Sequence, residues 1–585
     1  MKKTAAGTRT IMKLIPLMLV LFVLCGSAGC KNDPDGPSWT PSVPQQTFDY
    51  EEETMSGTII NTEFEPGVIK TLEELGMSRD EFTRGGGKGD YSYDGNRGCD
   101  YLSVIFSPDY TLKVNGADVP VYSTIVHDGT FGKNILYSFA IIEVKAADAL
   151  SLKAELTPKD LKIKSAVVLP EAKGIAPEVT SDSRVRTVVK EFGNFTVLVD
   201  EKAKTDFTSD FTRTHSFTLF VREYTDEDAE IAAYRAQYGE ENVTVYEPGL
   251  HVFDYINVSK DDQVLYFRRG CYMFSKGRED YGEKNDYFEK HRGDDITWNL
   301  LRFPVINANY RKNVTVAGSG WIDAGGLGWH ERRGLMFSNC DGVCVKDVTL
   351  INFPEWTLIT YVSANIDISD CRIFGYKSNS DGFAICNSKN ARITDCFARS
   401  GDDLFEIKTL GGPAGSVADN VVFTSCTAWA SKARCFGIIA ETEFPVSNIT
   451  FRDCYVIYRD STWDNEFLGS LMVYCELSKN GVTIDNILFE NIEIFYDRGR
   501  AINVKMEDDK APTQVTNVTF RNVRYRSGLK NLLYNPSGIR TGNYVQEITL
   551  EDVTANGKLI GPGDDLGKLF DMTGSGEISV VRNEV

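Results

Sequence analysis

The chain has 585 residues, 42% hydrophobic and 11% aromatic, enough to bury large cores in more than one domain, so disorder is excluded as its default state. Its 63 basic and 83 acidic residues leave a net charge of −20, which repels nucleic-acid phosphates and speaks against a DNA-binding role. Thirteen cysteines without a CxxC pair and five scattered histidines make no zinc constellation, and neither a metal nor another cofactor is expected.

At the N-terminus Lys2, Lys3, Arg9 and Lys13 precede an apolar run from Leu14 to Leu24 and then Ser27-Ala28-Gly29-Cys30. This predicts an export signal over 1–29, because the run falls short of the about 20 residues that span a bilayer. The ending resembles a bacterial lipobox, which implies that Cys30 is lipidated; the alternative is a cleaved signal followed by an ordinary cysteine. Residues 30–48, rich in Pro, Ser and Asp, read as a flexible tether. The expectation is an outer-membrane lipoprotein that touches the membrane through its anchor alone.

From 49 to 216, alternating stretches such as YLSVIF, TLKVNG, ILYSFAIIEV and LKIKSAVVL are broken by Gly, Pro and Asp turns, the pattern of an antiparallel β-sandwich. Thr225 to Gly239 carries helix formers after an acidic start, which predicts one short helix. The remainder, 217–575, is read as a second domain that starts with VTVYEPGLHVFDYINV and QVLYFRRGCYMF.

That domain repeats. Asn365, Asn390, Asn420, Asn448, Asn486 and Asn517 each open a short alternating segment (NIDISDC, NARITDC, NVVFTSC, NITFRDC, NILFENI, NVTFRNV), and GVCVKDV at Gly342 fits the same frame. Period-2 alternation predicts strands, and a leading Asn or Gly predicts a left-handed turn residue. Intervals of 23, 25, 30, 28, 38 and 31 residues with no helical period between strands suit a parallel β-helix with irregular loops. The fold class is therefore all-β: a right-handed parallel β-helix preceded by an antiparallel β-sandwich. Cys371, Cys396, Cys426 and Cys454 should stack as free, core-filling thiols, and insertions at 404–419 and 455–485 should wall a cleft.

Aligning FAI (383–385), FEI (405–407) and FGI (436–438) on the repeat puts Trp356, Asp381, Asp403 and Arg434 in one column, with Asp402 beside Asp403. Adjacent parallel strands lie about 4.8 Å apart, so three carboxylates should share one spot. Such crowding suits glycoside hydrolysis, which needs a protonated acid and an ionised carboxylate; the competing reading is solvated turns, since Asn-Ser-Asp-Gly and Gly-Asp-Asp are turn sequences. Asp402 and Asp403 can both reach a substrate only if the backbone turns there. Glu406 and Lys408 should face outward beside the acids, as contacts for sugar hydroxyls or as partners of the ladder. Trp356 could stack on a sugar or anchor a loop. Arg434 could keep an aspartate ionised, bind a hydroxyl, or form a structural ion pair. His330, beside Trp329, is read as fixing a loop.

The run GSGWIDAGGLGWHERRGLMFSNCDGVCVKDVTLINFPEWTLI, followed by NSDG at 379–382 and GDD at 401–403, resembles the clan joining glycoside hydrolase families 28 (polygalacturonases) and 49 (dextranases). The resemblance covers most of 240–525, and a β-domain ahead of the repeats looks more like the family 49 plan. It implies an inverting hydrolase of α-linked glycans in which Asp402 matches the general acid and Asp381 and Asp403 match the pair that activates water. Two departures stand out. Polygalacturonases carry Gly-His-Gly where this chain has Lys432-Ala433-Arg434-Cys435-Phe436-Gly437, and no Arg-Ile-Lys follows, the next coil reading FLGSLMVY. Galacturonan is therefore not the first substrate expected. The alternatives are a β-helix polysaccharide lyase using Lys408 or Arg434, and a non-catalytic surface solenoid that binds carbohydrate. The one partner expected is the carbohydrate; nothing in the sequence fixes an oligomeric state.

Overall fold

The computed structural model describes residues 45–46, 49–85, 98–129, 132–145, 149–202, 207–277, 304–459, 468–475, 481–506, 513–534, 544–545, 547–573 and 578–581. The export signal, Cys30 and the tether up to 44 lie outside the described residues. At the tether's end the Gln46 amide donates to the Gly174 carbonyl at 2.9 Å.

Strands from Val243–Tyr246 to Ile578–Val581 wind into a parallel β-helix, as the repeat predicts. A 23-stranded sheet supplies two of its walls and an eleven-stranded sheet, from Ile256–Val258 to Phe570–Thr573, the third. Its crossovers follow the right-handed rule for parallel strands. The repeat asparagines sit where expected: Asn365, Asn390, Asn420, Asn448, Asn486 and Asn517 have φ between 52° and 57°. Their side-chain amides bond to the coil before, Asn420 donating to Asn390 at 3.0 Å, Asn448 to Asp419 at 2.7 Å and Asn486 to Asn448 at 2.7 Å, so the side chain favours the left-handed turn and in these coils also ties one to the next. Inside, Phe383, Phe405 and Phe436 stack at 5.0 and 4.9 Å, and Cys371, Cys396, Cys426 and Cys454 are buried free thiols.

The N-terminal region is a sandwich of a seven-stranded and a five-stranded sheet. One core, with Leu112, Ile142, Leu152 and Val199, lies between these sheets. A second joins Tyr137, Phe139 and Phe220 to Trp321, Phe374, Phe397 and Trp429 of the β-helix, where Phe139 stacks on Phe374 at 4.7 Å. The seven-stranded sheet is thus a middle layer covered on both faces. That explains the near-continuous apolar run ILYSFAIIEV inside Lys133–Lys145, where a one-sided strand would alternate.

The structure alters four details of the sequence reading. Strand Phe217–Glu223 belongs to the sandwich and pairs parallel with Lys133–Lys145, so the sandwich runs past 216 and is not wholly antiparallel. The last rung, Ile578–Val581, extends the β-helix beyond 575. The presumed insertions contain wall strands, Phe405–Thr409 in one and Tyr455–Arg459 and Gly469–Cys475 in the other. Two short helices, Leu72–Leu75 and Arg79–Thr83, also form, both opened by capping boxes (Thr71 with Glu74, Ser78 with Glu81) that were readable as T-x-x-E and S-x-x-E. The helix expected after Thr225 runs Glu227–Tyr238, capped by Asp226, and buries Ile231 against Val264 and Tyr266.

Candidate active site

Ladder pairing of Leu358 with Phe383, Phe405 and Phe436 fixes the register of the eleven-stranded sheet. Just before these strands the amides of Thr357, Gly382 and Leu404 donate to the carbonyls of Asp381, Asp403 and Arg434 at 2.9, 2.7 and 3.1 Å. Trp356, Asp381, Asp403 and Arg434 therefore form one column, as the alignment predicts, and Arg333 precedes Trp356 in it. The chain bends at Gly401-Asp402 before its strand begins, and the Asp403 amide donates back to Asp402 Oδ1 at 3.0 Å. This turn brings both neighbouring aspartates to the groove. One carboxylate oxygen from each of Asp381, Asp402 and Asp403 lies within 4.8 Å of the others.

The three differ in surroundings. Asp381 and Asp403 are buried, whereas Asp402 is half-buried at the mouth. Asp403 accepts from the Arg434 guanidinium at 2.8 Å and from the Arg434 amide at 3.1 Å. Asp381 Oδ2 accepts from Lys408 Nζ at 3.0 Å, while its buried Oδ1 accepts no hydrogen bond from the described residues. Lys408 Nζ also lies 3.0 Å from Glu406, 3.6 Å from Glu441 and 4.0 Å from Asp403.

Five carboxyl groups thus face Lys408 and Arg434, with Lys432 acting on Asp402 as well, and protons make up part of the balance. Burial, with Asp403 beside it, pushes Asp402 up to about 6. Burial pushes Glu406 up to about 8, against the pull of Lys408. Asp381 is held well above the ordinary carboxyl range by burial and by Glu406, Asp402 and Asp403, with Lys408 opposing. Burial works against the charge on Lys408, yet Glu406, Glu441, Asp381 and Asp403 hold it well above the ordinary lysine range. The trio of aspartates could offer oxygens to a cation, but Lys408 and Arg434 already supply positive charge there.

Glu406 and Lys408 do project outward from the coil, yet both are buried, at 0% and 3% exposure. In this structure they are partners of the acid ladder rather than open contacts for sugar. An apolar patch, Met336, Trp356, Ile359, Tyr361 and Leu410, lies on the outer face of the same sheet. Trp356 belongs to it, with Lys408 Nζ and the Arg333 guanidinium over its ring at 4.2 and 4.7 Å, which favours the anchoring reading. His330 holds Asn379 at 3.2 Å while Trp329 donates to the Ser378 carbonyl at 3.1 Å, so this pair braces the NSDG loop as expected. Sequence reasoning missed Glu441 and the Arg333–Glu355 ion pair at 2.7 Å. Arg333 was findable, one step up the same column.

Residues 290–462 match the model of Glycosyl hydrolases family 28. A protein named as a probable polygalacturonase of Arabidopsis thaliana is 25% identical over 228 residues, 36% of this chain and 47% of that one. Another, from Vitis vinifera, is 29% identical over 133 residues, 20% of this chain and 27% of that one. The chain thus spans less than half the length of these relatives. Among solved structures, Dex49A from Penicillium minioluteum superposes with a TM-score of 0.55 at 12% identity, over 84% of this chain and 97% of that one, a likeness of fold.

Proposed function

We propose that the chain, whose residues 290–462 match the model of Glycosyl hydrolases family 28, hydrolyses α-linked glycosidic bonds of a polysaccharide, with Asp402 as general acid and Asp381 and Asp403 activating water. One observation carries the reading: three carboxyls meet within 4.8 Å on consecutive coils, and the one at the mouth is pushed up to about 6. Asp402 is the group that can reach a glycosidic oxygen with a proton to give, and the neutral form is the one a leaving group needs. Asp381 acts on water only when ionised, a form that Lys408 favours against its burial, and its open Oδ1 suits a water; the guanidinium on Asp403 balances charge without supplying a proton.

Inversion of the anomeric centre is part of the proposal and rests on the resemblance. Inverting pairs usually stand about 6.5–9.5 Å apart and retaining pairs about 5–5.5 Å, so an oxygen separation within 4.8 Å leans the other way. The anomer released decides: polarimetry or NMR of the first product should find the inverted form. Reducing-end release on a panel of neutral and acidic α-glycans, beside Asp402→Asn, tests the hydrolase reading itself; equal activity in the variant would sink it. A lyase fits less well, because its base must be unprotonated to take the proton α to the uronate carboxylate, and the carboxyl groups around Lys408 favour its protonated form. Absence of an ultraviolet-absorbing product separates the two. The domain order, sandwich then β-helix, supports the family 49 plan. The same proposal includes export and lipid attachment at Cys30 in the outer membrane, tested by palmitate labelling that Cys30→Ser abolishes.

A further inference from the structure

A cavity of about 310 Å³ opens where the sandwich meets the β-helix, at a corner of the coil other than the one bearing the acids. It is of the size of small-ligand pockets, about 300–1,000 Å³. Asp347, Asp370 and Asp395 line one side. They occupy successive coils, with φ of 62°, 54° and 54° and their amides bonded to Ser369, Thr394 and Thr424 on the next coil, each at 3.0 Å. Opposite them the sandwich supplies Phe192, Arg222 and Tyr224.

Acids in a row are common at β-helix turns, and two further features set this row apart. Arg222 is 5% exposed and lines the cavity; its Nε donates no hydrogen bond among the described residues and is ion-paired with Asp370 across 3.5 Å, while another guanidinium nitrogen donates to Asn194 at 2.6 Å. Phe192 is 37% exposed at the rim, an apolar ring beside carboxylates and a buried guanidinium donor. An apolar face next to fixed donors and acceptors is the complement of a pyranose, whose C–H face stacks on aromatics while its hydroxyls both give and accept hydrogen bonds.

Charge sets the class. Asp347 is already paired with the buried Arg372 at 2.6 Å, which leaves Asp370, Asp395 and Glu223 beside Arg222 and Lys346 in the lining; no surplus positive charge is there to hold a uronate, and a metal ion would meet two cations. We infer that this cavity is a second carbohydrate site, one that holds a neutral sugar unit by Phe192 stacking and by hydrogen bonds to Arg222 and the aspartate row. It does not depend on the proposed reaction. For a polymeric ligand it raises the effective concentration of chain at the molecule's surface.

The test uses the whole protein with Asp402→Asn, so that no ligand is consumed, and isomaltotetraose, maltotetraose and trigalacturonate as probes, read by hydrogen exchange. At least one neutral tetrasaccharide should protect amides at 192–193, 222–225 and 370, and Phe192→Ala, at an exposed position, or Asp370→Asn, at a part-buried one, should weaken that binding roughly tenfold, with thermal melting to establish folding. Trigalacturonate should leave these amides unchanged. Protection by neither tetrasaccharide, protection that persists undiminished in both variants, or preferential binding of trigalacturonate would each overturn the inference.

Discussion

Replacing Lys408 by Met keeps the length of the side chain against Trp356 and removes the one cation that Asp381, Glu406 and Glu441 share. A unit charge 4 Å away is worth about 4 kcal/mol at an effective dielectric constant near 20, and an opposite charge this close typically lowers a carboxyl pKa by about 1–3 units. Lys408 stands 3.0 Å from Asp381 and is the cause that lowers it against burial, so without it Asp381 should ionise at higher pH. The acid limb of kcat/KM should move to higher pH with it, and activity below that limb should fall. Fold stability should drop by up to about 3–5 kcal/mol where the abandoned carboxylates stay ionised, and by less where they take up protons. The assay is reducing-end release far below KM across pH, with Lys408→Arg as the charge-keeping control and thermal melting to establish folding. A folded Lys408→Met protein whose acid limb has not moved would refute the reasoning.

The alkaline limb should fall through about pH 6, where Asp402 loses the proton it donates; Asp402→Asn should lose at least about 10²-fold in kcat while KM changes little. Glu406 is raised from 4.5 to about 8, so the folded state keeps a proton that the unfolded chain has already lost, and stability should decline as pH rises across that window. In Glu406→Gln that decline should flatten, visible as melting temperatures less dependent on pH. Arg434→Met should leave Asp403 buried without its guanidinium at a cost of about 3–5 kcal/mol; urea unfolding would expose a smaller penalty if the pair is dispensable. Asn420→Ala should cost about 1–2 kcal/mol for a left-handed turn and a lost ladder bond, and Asn420→Gly less.

The column of acids was legible because Phe383, Phe405 and Phe436 repeat at the same inward position, and a shared register on parallel strands places everything two residues earlier together. The burial of Glu406 and Lys408 was not legible. Alternation tells which side of a strand a residue faces, but not that Lys408 lies against the Trp356 ring and among Asp381, Glu406 and Glu441 on that side. In the same way ILYSFAIIEV read as a strand, yet a surface buried twice over is a property of two partners, and the sequence of one strand names neither. The parallel partner Phe217–Glu223 arrives some seventy residues later, beyond any local signal.

The doubly covered sheet has a mechanical consequence. Solenoids are compliant along their axis, because each coil touches its neighbours alone. Here Phe374, Phe397 and Trp429, from the coils that carry Asp381, Asp402 with Asp403, and Arg434, all seat on Tyr137, Phe139 and Phe220. The sandwich therefore acts as a splint across the rungs whose spacing the chemistry needs fixed. Severing it would free a spring and expose a wide aromatic face to water, so the two regions should behave in truncation as one inseparable body.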